Sequence, residues 1–312
     1  MSKTRDFLGP YRLARLIRMG SSSEVWEAIR GEDHERFALK ILRSSTATNK
    51  NEIALLKHEF NIAKAMTTSP RVIKILDYRV ESGRPMLVME LFSELNMKQA
   101  LRRGPDSLAY MLDKIIEQAG EGLYYMHTKG FIHRDIKPDN FLVSRDGVVK
   151  LIDFTISQKK KTGLAKMFHR EKLAMGTRSY MAPEQIRSKV CDERTDVYAF
   201  GCVLYELVTG KPPFTGDTPN DLLQKHISAH IPSPIVHNDN VTRDFADLIK
   251  SMMAKKPSNR MDSMWEFLKV FRTIEVFKKK PRIPEISVFD DMPGIKGADD
   301  LFKKGDGPQG LE

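Results

Sequence analysis

The tract His133-Arg134-Asp135-Ile136-Lys137-Pro138-Asp139-Asn140, followed downstream by Asp153-Phe154, constrains this chain more than any other feature. It sets a carboxylate, a lysine, an amide and a second carboxylate at the spacing that phosphoryl transfer from a magnesium nucleotide requires. Asp135 can orient and deprotonate an incoming hydroxyl, while Asn140 and Asp153 offer hard oxygens to magnesium. Between them, residues 141–143 and 148–152 read as two short strands around an Asp146-Gly147 turn. Such a hairpin holds both acidic groups on rigid elements facing one cleft.

At 312 residues, with 41% hydrophobic and 29% charged content, the chain suits one or two soluble globular domains. No run approaches about 18 apolar residues, so no membrane insertion is predicted. Residues 1–6 begin no apolar signal stretch, which points to the cytoplasm. Cys191 and Cys202 fit no metal-ligand pattern, and Cys202 reads as core filling. A formal charge of +10 suits acidic partners. The lysines nevertheless read as a solvated surface, and without basic-aromatic interleaving no specific nucleic-acid binding is predicted.

Apolar spacing predicts strands over residues 11–19, 24–30 and 37–42, a helix over 49–66, and strands over 72–80 and 85–91. Helices follow over 107–128, 195–209, 220–227, 242–253 and 261–271. The predicted architecture is α+β and bilobal. A small antiparallel sheet lobe with one helix spans about 11–95, and a larger, mainly helical lobe spans 96–271. The cleft between two such lobes is where a ligand belongs. Residues 272–312, charged and rich in Pro and Gly, read as a disordered tail.

Strand alternation puts Ala38, Lys40 and Leu42 on one face. A lysine among apolar neighbours needs an anionic partner. Glu59 supplies one, lying within the stripe formed by Leu55, Leu56, Ile62, Ala63 and Met66 on helix 49–66.

Taken together, these landmarks resemble the eukaryotic-type serine/threonine protein kinase family over roughly residues 11–271. The resemblance implies ATP and Mg2+ as cofactors and protein Ser/Thr hydroxyls as acceptors. Asp135 is then the base, Lys137 neutralises the transferring phosphate, and Asn140 and Asp153 hold the metal. Lys40, held by Glu59, contacts the α- and β-phosphates. Val25, Ala38 and Leu142 sandwich the adenine, and Glu90 to Phe92 form the hinge behind a Met89 gatekeeper. Residues 176–184 resemble the segment that positions a peptide, with Thr177 near Asp135 and Lys137. Glu184 pairs with Arg260. Asp196 caps the helix over 195–209 and braces the catalytic loop.

Two departures stand out. Arg18, Gly20 and Ser23 occupy the family's three glycine positions, although Gly20, Ser21, Ser22 and Ser23 still offer backbone N–H groups to phosphate. Thr155 replaces the glycine of Asp-Phe-Gly, and its stiffness hinders backbone excursions that glycine allows. These departures leave open a pseudokinase that binds nucleotide or acts as a scaffold. A small-molecule kinase is disfavoured by residues 176–184. For control, Arg134 awaits either Glu171 or a phosphorylated Thr162. For specificity, Asp139 and Glu206 favour basic residues flanking the acceptor, whereas Asn96 stands at a position often acidic in basophilic kinases.

Overall fold

Alternating apolar residues make the N-terminal third a sheet. The computed structural model describes residues 7–160 and 176–284. Strands β1 (Phe7–Leu8), β2 (Tyr11–Met19), β3 (Ser23–Arg30), β4 (Arg36–Leu42), β5 (Ile75–Glu81) and β6 (Arg84–Glu90) pair antiparallel in the order β1-β2-β3-β4-β6-β5. Phe37, Leu39, Ile41, Met86 and Val88 cluster around Tyr11 on one side. Leu42 and Leu87 instead join the core shared with helix α1 (Lys50–Lys64). Asn49 caps α1, its side chain accepting from the amide of Asn51 at 2.9 Å. The helix buries Leu56, Glu59, Ile62 and Ala63, so an ionisable group enters an apolar face as the sequence predicts.

The strand predicted from residue 72 begins at Ile75. Val72 instead bridges to Leu151 in parallel register. The Ile73 amide donates to the Leu151 carbonyl at 3.0 Å and the Leu151 amide to the Arg71 carbonyl at 2.8 Å. Residues 71–73 therefore tie the sheet lobe to the second lobe.

That second lobe begins with β7 (Leu95–Asn96) and α2 (Met97–Leu101). The helix predicted over 107–128 is two: α3 (Asp106–Ala109) and α4 (Leu112–Thr128). Met111 leaves helical geometry at φ −122°, ψ 16°. The break follows from two demands on one segment. Ser107 Oγ fastens α3 to the Ala100 carbonyl at 2.9 Å, while α4 packs against the helix over Met264–Phe271. At Gly120 of α4 that approach is so close that a Cβ would lie 3.1 Å from Phe267 and Leu268.

Strands β8 (Phe131–Ile132), β9 (Phe141–Val143), β10 (Val149–Leu151) and β11 (Gln158–Lys159) follow, with β9 between β7 and β10 and β8 paired to β11. Val149 opposes Val143, which makes the predicted hairpin. Helices α5 (Pro183–Ile186), α6 (Glu193–Thr209), α7 (Pro219–Ser228), α8 (Arg243–Met252) and α9 (Met264–Phe271) complete the lobe. From Thr195 to Thr209 every residue of α6 is buried, and each large apolar side chain there contributes about 1.5–3 kcal/mol.

Two expectations are corrected here. Asp196 is not the cap of α6. Asp192 is, accepting from the Arg194 amide at 3.1 Å, which frees Asp196 to point elsewhere. The tail also does not begin at 272. Val276 is buried, Val241 and Phe277 form an antiparallel bridge, and the Lys278 amide donates to the Asn240 carbonyl at 2.7 Å. Two apolar residues in a lysine-rich run suffice to dock it. Residues 285–312 lie outside the described residues. Among the described residues no helix is long and apolar enough to cross a membrane.

Candidate active site

A cavity of about 910 Å³ opens between the lobes. The phosphate- and nucleotide-site residues predicted from the sequence line it, Leu91 of the hinge excepted: Arg18, Gly20, Ser21, Ser22, Ser23 and Val25 from β2, β3 and the turn between them, and Ala38, Lys40 and Glu59 from β4 and α1. Met89, Glu90, Phe92 and Leu142 line it too, as do Asp135 and Asp153. Lys137 and Asn140 reach its floor through Asp135.

Lys40 sits on a central strand, opposite Val25 on one side and Leu87 on the other. Its Nζ donates to Glu59 Oε2 at 2.6 Å and to Asp153 Oδ1 at 3.3 Å. Burial alone would lower the lysine pKa, but the carboxylates of Asp153 and Glu59 outweigh it and hold the ammonium well above its ordinary value. Burial also pushes Asp153 up, and again charge wins. Lys40 and the Thr155 hydroxyl bring its carboxyl well below the usual carboxylate range. Glu59 goes the other way, raised chiefly by burial, with the neighbouring Asp153 charge adding to it. Asp153 is therefore the member of the pair fixed as an anion.

On the floor, Lys137 Nζ lies 2.5 Å from Asp135 Oδ2. The Thr177 amide and hydroxyl both donate to Asp135 Oδ1 at 2.9 Å, and Lys137 also reaches Thr177 Oγ1 at 2.9 Å. Asn140 Nδ2 donates to the Asp135 carbonyl at 2.8 Å. Its Oδ1 is buried and has no hydrogen-bond partner among the described residues. A buried amide oxygen without a donor is costly unless a cation is to meet it. With Asp153, it fits a hard divalent ion that takes few protein oxygens and completes its shell with phosphate and water.

Asp196 explains the loop's shape. Its carboxylate accepts from the His133 amide at 2.7 Å and the Arg134 amide at 2.8 Å, and lies 2.9 Å from His127 Nε2. Arg134 and Asp153 both have left-handed backbone, at φ +71° and +68°. Such conformations persist where surrounding bonds over-determine them. His133 supplies more of these bonds, with Nε2 3.1 Å from the Ile152 carbonyl and its ring edge-on to buried Phe154.

The turn over Gly20 to Ser23 is partly closed on itself. The Gly20 amide donates to the Ser23 carbonyl at 2.8 Å, and a Cβ at Gly20 would lie 3.0 Å from that oxygen. Its N–H is thus not available to phosphate, contrary to expectation. The amides of Ser21 and Ser22 carry no hydrogen bond among the described residues. At the hinge, Glu90 Oε1 accepts from Lys150 Nζ and from the Lys74 amide, both at 2.7 Å.

The protein kinase domain family matches residues 11–270. This chain belongs to that family. Nucleotide triphosphate and divalent-metal use are general to it. The chain is 34% identical over 280 residues to the serine/threonine-protein kinase PknA of Mycobacterium tuberculosis, covering 88% of this chain and 63% of the relative. It is 32% identical over 267 residues to PknH of Mycobacterium bovis, covering 84% and 43%. A probable serine/threonine-protein kinase of Clostridium perfringens is 33% identical over 274 residues, covering 88% and 39%. The chain thus spans less than two thirds of the length of these relatives.

Within this kinase domain Glu184 and Arg260 pair as expected, with both guanidinium nitrogens on the carboxylate at 2.7 and 2.9 Å. Glu206 departs from expectation. It is buried, contacted by Lys98 Nζ, and accepts from the Tyr180 hydroxyl at 2.6 Å. Its carboxylate is therefore occupied from within and cannot read a basic substrate residue as it stands. Of the two acidic residues expected to face the substrate, Asp139 alone lines the cavity. Lys98 lies 108 residues from Glu206, too far for any local pattern to link them. The Thr155 hydroxyl contacts described below were likewise invisible in sequence. Thr162 and Glu171, invoked for control, lie outside the described residues.

Proposed function

We propose that this chain is a serine/threonine protein kinase that transfers the γ-phosphate of Mg-ATP to protein hydroxyls. One observation carries the reading: Lys40, Glu59, Asp153, Asp135 and Thr177 line one cavity, with Lys137 and Asn140 bonded to Asp135 behind them. The nucleotide would supply the transferable phosphoryl group, and its divalent ion would neutralise much of the charge that develops on it. The chain's own residues position the rest. Asp135, oriented by Thr177 and Asn140, accepts the acceptor hydroxyl's proton. Lys137 offsets charge beside it, and Lys40 offers its ammonium to the phosphates from above. Asp153 and the Asn140 oxygen would hold Mg2+, an ion that needs few protein oxygens when phosphate and water supply the rest. Val25, Ala38 and Leu142 bracket the base, and the backbone of residues 90–92 reads its edge. Thr177 and Lys137 beside Asp135 favour a peptide hydroxyl as the acceptor.

The test uses the purified chain with a generic basic protein and labelled ATP, with and without Mg2+. Transfer should fall about 10³-fold in Asp135→Asn, with ADP affinity retained and the melting temperature shifted by no more than about 4 °C. Mg2+-independent labelling, or labelling that survives in Asp135→Asn, would overturn these assignments. Nucleotide binding without any transfer by the wild type would instead make the chain a pseudokinase.

A further inference from the structure

Thr155, where the family has glycine, places a hydroxyl among three charged groups. Its Oγ1 lies 2.6 Å from Asp153 Oδ1 and 3.1 Å from Glu59 Oε2, and Lys40 Nζ approaches it at 3.3 Å. We propose that this hydroxyl is a positioning group that holds α1 and Asp153 in their productive arrangement before any nucleotide binds. The inference rests on the kinase reading above for its consequence, though not for its geometry.

Two carboxylates share one ammonium here, so the buried cluster carries an excess of negative charge. A hydroxyl has one proton to donate and lone pairs to accept with. It can therefore donate to either carboxylate while accepting from Lys40, which glycine cannot do. The hydroxyl also engages the same oxygen of Asp153 that Lys40 uses. Asp153 Oδ2 then has no hydrogen bond among the described residues and is left for a cation. A second tie reinforces the first, since His58 Nε2, one residue before Glu59, lies 2.6 Å from the Ser157 carbonyl. Helix α1 is thus fastened to residues 155–157 at two points. The left-handed backbone of Asp153, φ +68°, needs such fastening to persist.

Stiffness and hydrogen bonding are separable by substitution in the full chain. Thr155→Ser keeps the hydroxyl and loses the β-branch. Thr155→Val keeps the branch and loses the hydroxyl, and Thr155→Gly loses both. Hydrogen exchange of the amides of residues 50–64 should speed about tenfold or more in the Val and Gly variants without ligand. Added ADP with MgCl2 should slow it again. Turnover at low ATP should fall by a similar factor, with peptide KM unchanged. The Ser variant should stay within about twofold of wild type in both measurements. Val matching wild type, or Ser matching Val, would overturn the proposal. Should Val fail to fold, the Ser and Gly pair decides alone, Gly matching Ser being the adverse result. Exchange is read without catalysis, so a wild type that transfers no phosphate would sink the kinase reading and leave this comparison intact.

Discussion

Two buried ionic networks in this molecule use the same kinds of residue to opposite ends. Inside the helical lobe, Arg260 donates to both oxygens of Glu184, to the Arg194 carbonyl at 2.8 Å and to the Ala254 carbonyl at 2.7 Å. Thr195 Oγ1 adds a bond to Glu184 at 2.9 Å. Each of these contacts comes from within the lobe itself. In the cleft, Lys40, Glu59 and Asp153 come from different lobes, Asn140 Oδ1 lacks a partner among the described residues, and the Asp153 side chain is 28% exposed. The closed network is structural. The open one spans the two lobes around a cavity, and the contrast separates buried charge closed within one lobe from buried charge that faces a cleft.

The largest effect on stability should follow from opening the closed network. Glu184→Ala leaves a guanidinium buried without its counter-charge and should cost about 3–5 kcal/mol of unfolding free energy. Denaturant unfolding measures it directly. A loss under about 1 kcal/mol would break the comparison, because the pair would then be dispensable to the fold.

Next comes a buried titratable group outside the cleft. His226 is fully buried, its Nδ1 3.0 Å from the Tyr198 hydroxyl. Burial, with the Lys255 charge adding, pushes its pKa down to about 4. Unfolded, it protonates near the ordinary histidine value of about 6.5. Between those values the native state binds fewer protons than the unfolded one. Its contribution is therefore complete above about pH 6.5 and lost as pH falls toward 4, amounting to about 3 kcal/mol. His226→Phe should flatten that part of the acid limb, as read by unfolding at pH 7 and pH 4.5. Equal pH slopes in variant and wild type would remove His226 from the account.

The smallest effect probes the border between the regions. Lys98→Met strips the cation from Glu206 and leaves a buried carboxylate facing the gap that Lys98 filled. Peptides with arginine near the acceptor should then gain about tenfold over alanine counterparts in kcat/KM, about 1.4 kcal/mol. Adding Glu206→Gln should abolish the gain. An unchanged ratio would mean that Glu206 is sealed off rather than occupied.

Much of the cleft was legible because its chemistry is local or periodic. Asp135 to Asn140 are contiguous, and Lys40 and Glu59 betray themselves as charges on apolar faces. What escaped was set by contacts between distant segments. Asp192 and Asp196 stand four residues apart at one helix start, and pattern alone could not say which caps and which braces the loop. The break at Met111 depends on α9, and the docking of residues 272–280 depends on Asn240 to Thr242. Thr155 was readable as stiff, but its hydroxyl's partners required Glu59 to be in place.

The tether from Glu90 to Lys150 has a consequence for what the cleft admits. Glu90 belongs to the hinge, Lys150 is three residues from Asp153, and residues 71–73 lace Leu151 to the same frame. In the proposed kinase reading, the edge that would read the base and the carboxylate that would hold the metal are thus two marks on one tied frame. Compounds that stretch or shorten the span from base to metal should be refused by length alone, whatever their charge.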